Sequence, residues 1–138
     1  MRFPLQVQGI IFCKTKEDIK YLLLKRNEEK GGFWQAVTGG VEEGESWKSA
    51  ISRELAEETK ISDFKSIVDS ELYFQFKENN LWFTERIFMV ELSEMINPIL
   101  SEEHTEYKWV TFIEALDLLK WDTNKDALKI INKRLTEK

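Results

Sequence analysis

Residues 39–58, GGVEEGESWKSAISRELAEE, hold a contradiction that decides how the chain is read. Gly39, Gly44 and Ser46 fall at the spacing of a phosphate-binding loop, G-x-x-x-x-G-K-[ST], yet Glu45 stands where the lysine belongs. The loop carries the carboxylates of Glu42, Glu43 and Glu45, and the segment behind it adds Glu54, Glu57 and Glu58. That charge has the wrong sign to hold phosphate directly. Ser46 is a good N-cap, and the residues after it predict a helix over about 47–60.

At about 100° per residue, with Glu54 set at zero, Trp47, Ala50, Ile51 and Ile61 all fall within roughly 60°. They define an apolar stripe that faces a core. Glu54 lies in its middle, Glu58 about 40° to one side and Glu57 about 60° to the other. Arg53 sits beside Glu57 on the flank. A solvated charged face is the ordinary reading of an acidic helix, but these carboxylates occupy positions that the pattern assigns to core. Ionised carboxylates are costly to bury without partners. Arg53 can pair with one of them but cannot neutralise all, and Lys48 and Lys60 project away from the stripe. A divalent cation resolves the conflict, because Mg²⁺ or Mn²⁺ takes carboxylate oxygens and keeps positions for water and phosphate. The loop then attracts metal, and the metal attracts phosphate. Glycines 39, 40 and 44 are expected to let the backbone turn tightly and approach the ligand, with a loop carbonyl such as that of Gly39 joining the metal's shell.

Outward from this segment, 138 residues bound the chain to one domain by length, large enough for a real core. A chain that is 42% hydrophobic and 33% charged fits a globular protein and argues against disorder. The net charge of −5 draws the surface neither to nucleic acid nor to anionic membrane. The N-terminus lacks the apolar run of a signal peptide, and no run reaches transmembrane length, which points to a cytoplasmic protein. Cys13 is the only cysteine and sits in an apolar strand-like run, as a buried structural thiol would.

Periodicity predicts mixed α and β structure without repeats. LQVQGIIFC (5–13) and KYLLLK (20–25) read as strands joined by a turn around Thr15–Asp18, with Gly9 marking a bulge. FWQAV (33–37) reads as a short strand, and the runs 66–77 and 81–91 as a hairpin about Glu78-Asn79-Asn80. Pro98 lies in a loop before a last strand, YKWVTF (107–112). A short helix at Glu114–Lys120 and a final amphipathic helix from about Thr123 complete a sheet flanked by helices.

Gly39, Glu45 and Arg53-Glu54-Leu55-Ala56-Glu57-Glu58 resemble the Nudix box, G-x5-E-x7-R-E-U-x-E-E-x-G-U with U aliphatic; Lys60 replaces its last glycine and Ile61 supplies its last aliphatic. The resemblance implies a Nudix hydrolase, an α/β/α sandwich with a mixed β-sheet that cleaves nucleoside-diphosphate-linked compounds with Mg²⁺. It further implies that Glu54, Glu57 and Glu58 bind metal and that Arg53 orients them. LLLKRN, FWQAVTG with Thr38, and EHTEYKW followed by W-x-x-N-x-x-A are similar to the subgroup of bacterial dihydroneopterin triphosphate pyrophosphohydrolases. That similarity implies hydrolysis of a pterin or purine triphosphate to a monophosphate and pyrophosphate. A (deoxy)nucleoside triphosphate pyrophosphohydrolase, a diadenosine tetraphosphate hydrolase and a non-catalytic nucleotide-binding module are the alternatives.

The remaining candidate residues follow the same patterns. Glu103 matches the family's extra acidic residue, and either it or Glu54 is expected to take or position the proton of the attacking water. Substrate contacts are assigned to Arg26 at a strand end, to Glu45 in the box, to His104 as a phosphate contact or a structural hydrogen-bonder, and to Trp121 and Asn124 at the head of the last helix. Trp34 is expected to stack on the heterocycle. Trp47 reads as core, and Trp82 and Trp109 remain open. The partner is a small phosphate-containing molecule, and the sequence leaves the oligomeric state undetermined.

Overall fold

The computed structural model describes residues 4–137. Alternation in LQVQGIIFC produces strand β1 (Leu5–Lys14), whose Val7 and Ile11 face one layer while Ile10 and Phe12 face the other. The other strands are β2 (Ile19–Arg26), β3 (Trp34–Gln35), β4 (Val37–Gly40), β5 (Ser66–Glu78), β6 (Leu81–Leu92) and β7 (His104–Val110). The helices are α1 (Trp47–Thr59), α2 (Phe112–Leu118) and α3 (Asp122–Thr136). Among the described residues the strands form one sheet in the order β3-β2-β1-β6-β5, with β4 paired to β1 and β7 to β2. The β1–β6 pair is parallel and the other strand pairs are antiparallel. Ala50, Ile51 and Leu55 of α1 close one face of the sheet, and Ala115, Ala127, Leu128 and Ile131 of α2 and α3 close the other. The result is the expected α/β/α sandwich around a mixed sheet. Among the described residues no helix is long and apolar enough to cross a membrane.

Several local expectations are corrected by the packing. FWQAV is not one strand: Trp34–Gln35 pairs with β2 and Val37–Gly40 with β1, so the chain changes partner at Ala36. Gly9 makes no bulge, since its pairings to Val37 and Phe88 run in continuous register. What it provides is room for α1, because a Cβ there would lie 2.9 Å from Ile51 Cδ1. The last strand begins at His104 and ends at Val110; Thr111 and Glu114 form a capping box, which draws Phe112 into α2. The hairpin is as expected, with Asn79 and Asn80 at φ of 50° and 65°, the left-handed pair of a two-residue turn.

Ser46 caps α1, its hydroxyl accepting from the Ser49 amide. The buried sector of the helix takes in Leu55 and Thr59 as well as Ala50, Ile51, Glu54 and Glu58. It is therefore rotated away from the stripe centred on Glu54, and Glu57 falls outside it, exposed. Trp47 is half-buried against the core. At the other end Lys60 adopts φ 60°, ψ 13°, the left-handed cap conformation that glycine takes without strain. A residue with a Cβ gives up roughly 1–2 kcal/mol there. Lys60→Gly is accordingly expected to raise the melting temperature by a few degrees in a thermal unfolding scan. An unchanged or lower midpoint would show that the cap carries no such strain.

Candidate active site

The tight seating of α1 over Gly9 and Gly39 delivers its carboxylates to the sheet. Glu54 and Glu58 are buried, at 8% and 4% exposure, while Glu57 one turn away remains exposed. Each of the three offers an oxygen within 4.8 Å of the others. The approach at Gly39 is extreme: a Cβ there would stand 2.0 Å from the Glu54 carboxyl carbon. Gly39 and Gly40 are therefore not turn glycines. They end β4 in extended backbone, and only Gly44 of the loop takes a left-handed φ, of 80°.

Arg53 binds the loop to the helix. Its Nε and Nη2 donate to the two oxygens of Glu45 at 2.8 and 3.0 Å, Nη2 also to the Gly40 carbonyl at 2.8 Å, and Nη1 to Glu54 at 2.8 Å and Glu57 at 3.5 Å. Such a fork fixes both partners. The Arg53 hydrogen bonds hold the Glu45 carboxyl down at about 2. Burial pushes Glu54 the other way, to about 7, against the opposing pull of Arg53 and with help from the Glu57 and Glu58 charges. For Glu58 burial also favours the neutral form, but contacts with His104 and Ser101 and the charge of Arg26 outweigh it and keep the carboxyl below its ordinary range. Converging carboxylates, two of them buried and one forced up by burial, form a hard-oxygen donor set that fits a divalent cation.

These residues line a cleft of about 810 Å³. Gly39, Glu54, Glu57 and Glu58 lie in it together with Arg26, Glu103, Trp121 and Asn124, so most of the sequence-derived site residues share one space. Arg26 Nε is buried with no hydrogen-bond partner among the described residues, and its guanidinium lies 5.7 Å from the Phe33 ring centre. Trp121 is 48% exposed and meets Phe33 edge-on at 5.8 Å, with Lys120 Nζ 4.7 Å above its ring.

Three assigned substrate contacts do not line this cleft. Trp34 is packed with the α2–α3 core cluster, with Lys108 Nζ 5.1 Å above its ring, because strand alternation sends neighbouring side chains to opposite faces. Phe33 and Gln35 on either side of it are the residues that reach the cleft. Glu45 is committed to Arg53. His104 is buried behind Glu58, its Nδ1 2.8 Å from Glu58 Oε2.

The cleft also has a polar wall that the sequence reading missed. Gln6 and Gln8 of β1 donate to the two oxygens of buried Glu85 on β6, Gln8 at 2.8 Å. The signal was present in LQVQG, where two glutamines two residues apart sit on one face of a strand that is otherwise apolar.

A carboxylate cluster set into a polar cleft, over a mixed sheet between helices, is the apparatus of a metal-assisted hydrolase. A family model described as NUDIX domain matches residues 4–132, and the chain belongs to the Nudix family of hydrolases. It is 28% identical over 142 residues to the dihydroneopterin triphosphate diphosphatase of Haemophilus influenzae, covering 94% of this chain and 89% of that protein. The structure of the Escherichia coli dihydroneopterin triphosphate pyrophosphohydrolase superposes with a TM-score of 0.84 at 26% identity, over 96% of this chain and 97% of the other. A NUDIX hydrolase structure from Listeria monocytogenes gives 0.83 at 31% identity, over 96% and 94% of the two chains.

Proposed function

We propose that this hydrolase cuts a pterin or purine triphosphate to its monophosphate and pyrophosphate, with dihydroneopterin triphosphate as the preferred substrate. The observation that carries this reading is the shared cleft, in which the Glu54, Glu57 and Glu58 oxygens face the same space as Arg26, Phe33 and Trp121. The likeness to the dihydroneopterin triphosphate diphosphatase of Haemophilus and the pyrophosphohydrolase of Escherichia supports the substrate choice. Glu54, Glu57 and Glu58, with the Gly39 carbonyl, would hold Mg²⁺ or Mn²⁺, which when bound supplies positive charge against the triphosphate and makes water more acidic. Arg53 keeps Glu54 and Glu57 in place through the fork on Glu45. Arg26, which lines the cleft, offers its guanidinium to phosphate oxygens, and Trp121 and Phe33 receive the heterocycle, with Asn124 at its polar edge. The water oxygen bonds to phosphorus as the anhydride P–O bond breaks, its proton passes to Glu54 or Glu103, and pyrophosphate leaves.

Product analysis in ¹⁸O water with dihydroneopterin triphosphate tests the reaction. Pyrophosphate is the expected first product. Orthophosphate first, or turnover of diadenosine tetraphosphate far above every triphosphate, would overturn the substrate assignment and leave the family intact. Stacking is tested separately: Trp121→Ala should weaken binding of the heterocyclic triphosphate by roughly 1–3 kcal/mol and that of inorganic triphosphate far less. Equal losses for the two ligands would place recognition elsewhere. Trp34→Ala should not show this ligand selectivity, because its ring lies outside the cleft.

A further inference from the structure

Behind the carboxylate cluster runs a chain of buried and half-buried polar groups centred on His104, which does not line the cleft. Ser101 Oγ donates to Glu58 Oε2 at 2.8 Å, and His104 Nδ1 lies 2.8 Å from the same oxygen. The Nδ1 contact is close but not aligned as a good hydrogen bond, which leaves that nitrogen buried and electrostatically directed at the carboxylate. On the far side of the ring, Gln35 Nε2 lies 3.2 Å from His104 Nε2. Gln35 and His104 are 5% and 6% exposed. The sheet builds this arrangement, since His104 opens β7 and pairs with Arg26 at the end of β2, while Gln35 enters from β3. Both contacts to Glu58 fall on Oε2, and Oε1 takes part in neither.

A neutral imidazole presents one N–H and one lone pair, and the partner of one nitrogen decides where the proton sits. With the Gln35 amide donating to Nε2, the proton is on Nδ1, facing Glu58. A metal ligand held from behind in this way keeps one orientation and loses little freedom on binding.

We propose that His104 is a positioning residue for metal binding: with its tautomer set by Gln35, it fixes the Glu58 carboxylate for the cation. The proposal rests on the metal reading above, and its readouts do not involve turnover. His104 is the only histidine in the chain, so a tag-free, ¹⁵N-labelled protein gives one imidazole spectrum. That spectrum should show the Nδ1–H tautomer. Mn²⁺ binding, followed by the loss of the free-ion paramagnetic resonance signal, should weaken about 10–100-fold in His104→Ala, the range for removing the outer partner of a metal ligand. Asn places an amide nitrogen where Nδ1 stood, whereas Gln places it where Nε2 stood. His104→Asn should therefore restore most of the affinity and His104→Gln should not. A residue that merely filled space would give the reverse order, since Gln is the larger.

Should His104→Ala fail to fold, Gln35→Met supplies the test by removing the amide while keeping the volume, and it should lose both the tautomer preference and part of the Mn²⁺ affinity. An Nε2–H tautomer in the wild type, or undiminished Mn²⁺ affinity in folded His104→Ala, would overturn the proposal. No Mn²⁺ binding by the wild-type protein would overturn the metal reading itself.

Discussion

Glu58→Gln is expected to lower kcat by at least ~10²-fold, as loss of a principal electrostatic group at a reacting centre does. The substitution keeps the size of the side chain and its capacity to accept from Ser101, and removes only the charge. Glu58 is the carboxylate whose surroundings hold it ionised, through His104, Ser101 and Arg26. In the proposed function it would serve as a negative ligand that a neutral amide cannot replace. The fold should survive, because an amide is easier to bury than an unpaired charge. Glu42→Gln and Glu43→Gln serve as controls: both residues are exposed and neither lines the cleft, so kcat should stay near wild type. EDTA should abolish activity, and added Mg²⁺ or Mn²⁺ should restore it. A near-wild-type rate in Glu58→Gln, or activity indifferent to EDTA, would show that the helix face does not hold a metal.

The parts of this site that were legible in the sequence share one property, namely that a local rule fixes them. Ser46 had to cap a helix, and Glu54 and Glu58 on a predicted core stripe had to be buried together; both statements need only about one turn of chain. The runs 66–77 and 81–91 were readable as a hairpin because the Asn79-Asn80 turn sets the register of Tyr73–Glu78 against Leu81–Arg86, whereas the register shift between Asp69 and Tyr73 had no local signal. The misplacements have the opposite character. Choosing Phe33 over Trp34 for the cleft required knowing which face of a two-residue strand looks inward, and the break at Ala36 leaves no run long enough to show alternation. His104 was readable as a polar residue near the site but not as one behind Glu58, because that depends on β7 beginning beside Arg26. Lys60 departs from the box motif yet keeps the backbone shape that the motif's glycine serves, so the motif residue and the conformation are separable. The lining of the cleft was the least accessible, because it is assembled from β1, β6 and the head of α3, far apart in the chain.

Gly39→Ala is expected to be the most damaging single-methyl change in the molecule. Its Cβ would stand 2.0 Å from the Glu54 carboxyl carbon and 2.3 Å from each oxygen, far inside van der Waals contact. Strand β4 is held to β1 through Val7–Gly39 pairing, and α1 is pinned by Ile51 and Leu55, so neither backbone yields easily. Glu54 must swing away instead, breaking its contact with Arg53 and leaving the oxygen cluster. The expected result is at least ~10²-fold loss of kcat together with weaker Mn²⁺ binding. Overpacking should cost roughly 1–3 kcal/mol of stability as well. Gly40→Ala is the matched control, since a Cβ there meets nothing within 4 Å and the backbone is not left-handed. It should keep nearly full activity, although it adds the same methyl one residue away. Glu54→Asp in the Gly39→Ala background draws the carboxyl back by one methylene and should recover stability without recovering kcat, a non-additive outcome that would locate the clash between these two side chains. If Gly39→Ala retained its rate and its Mn²⁺ affinity, the strand would have moved to accommodate the methyl, and the close approach of Glu54 to β4 would not be what sets the metal ligand in place.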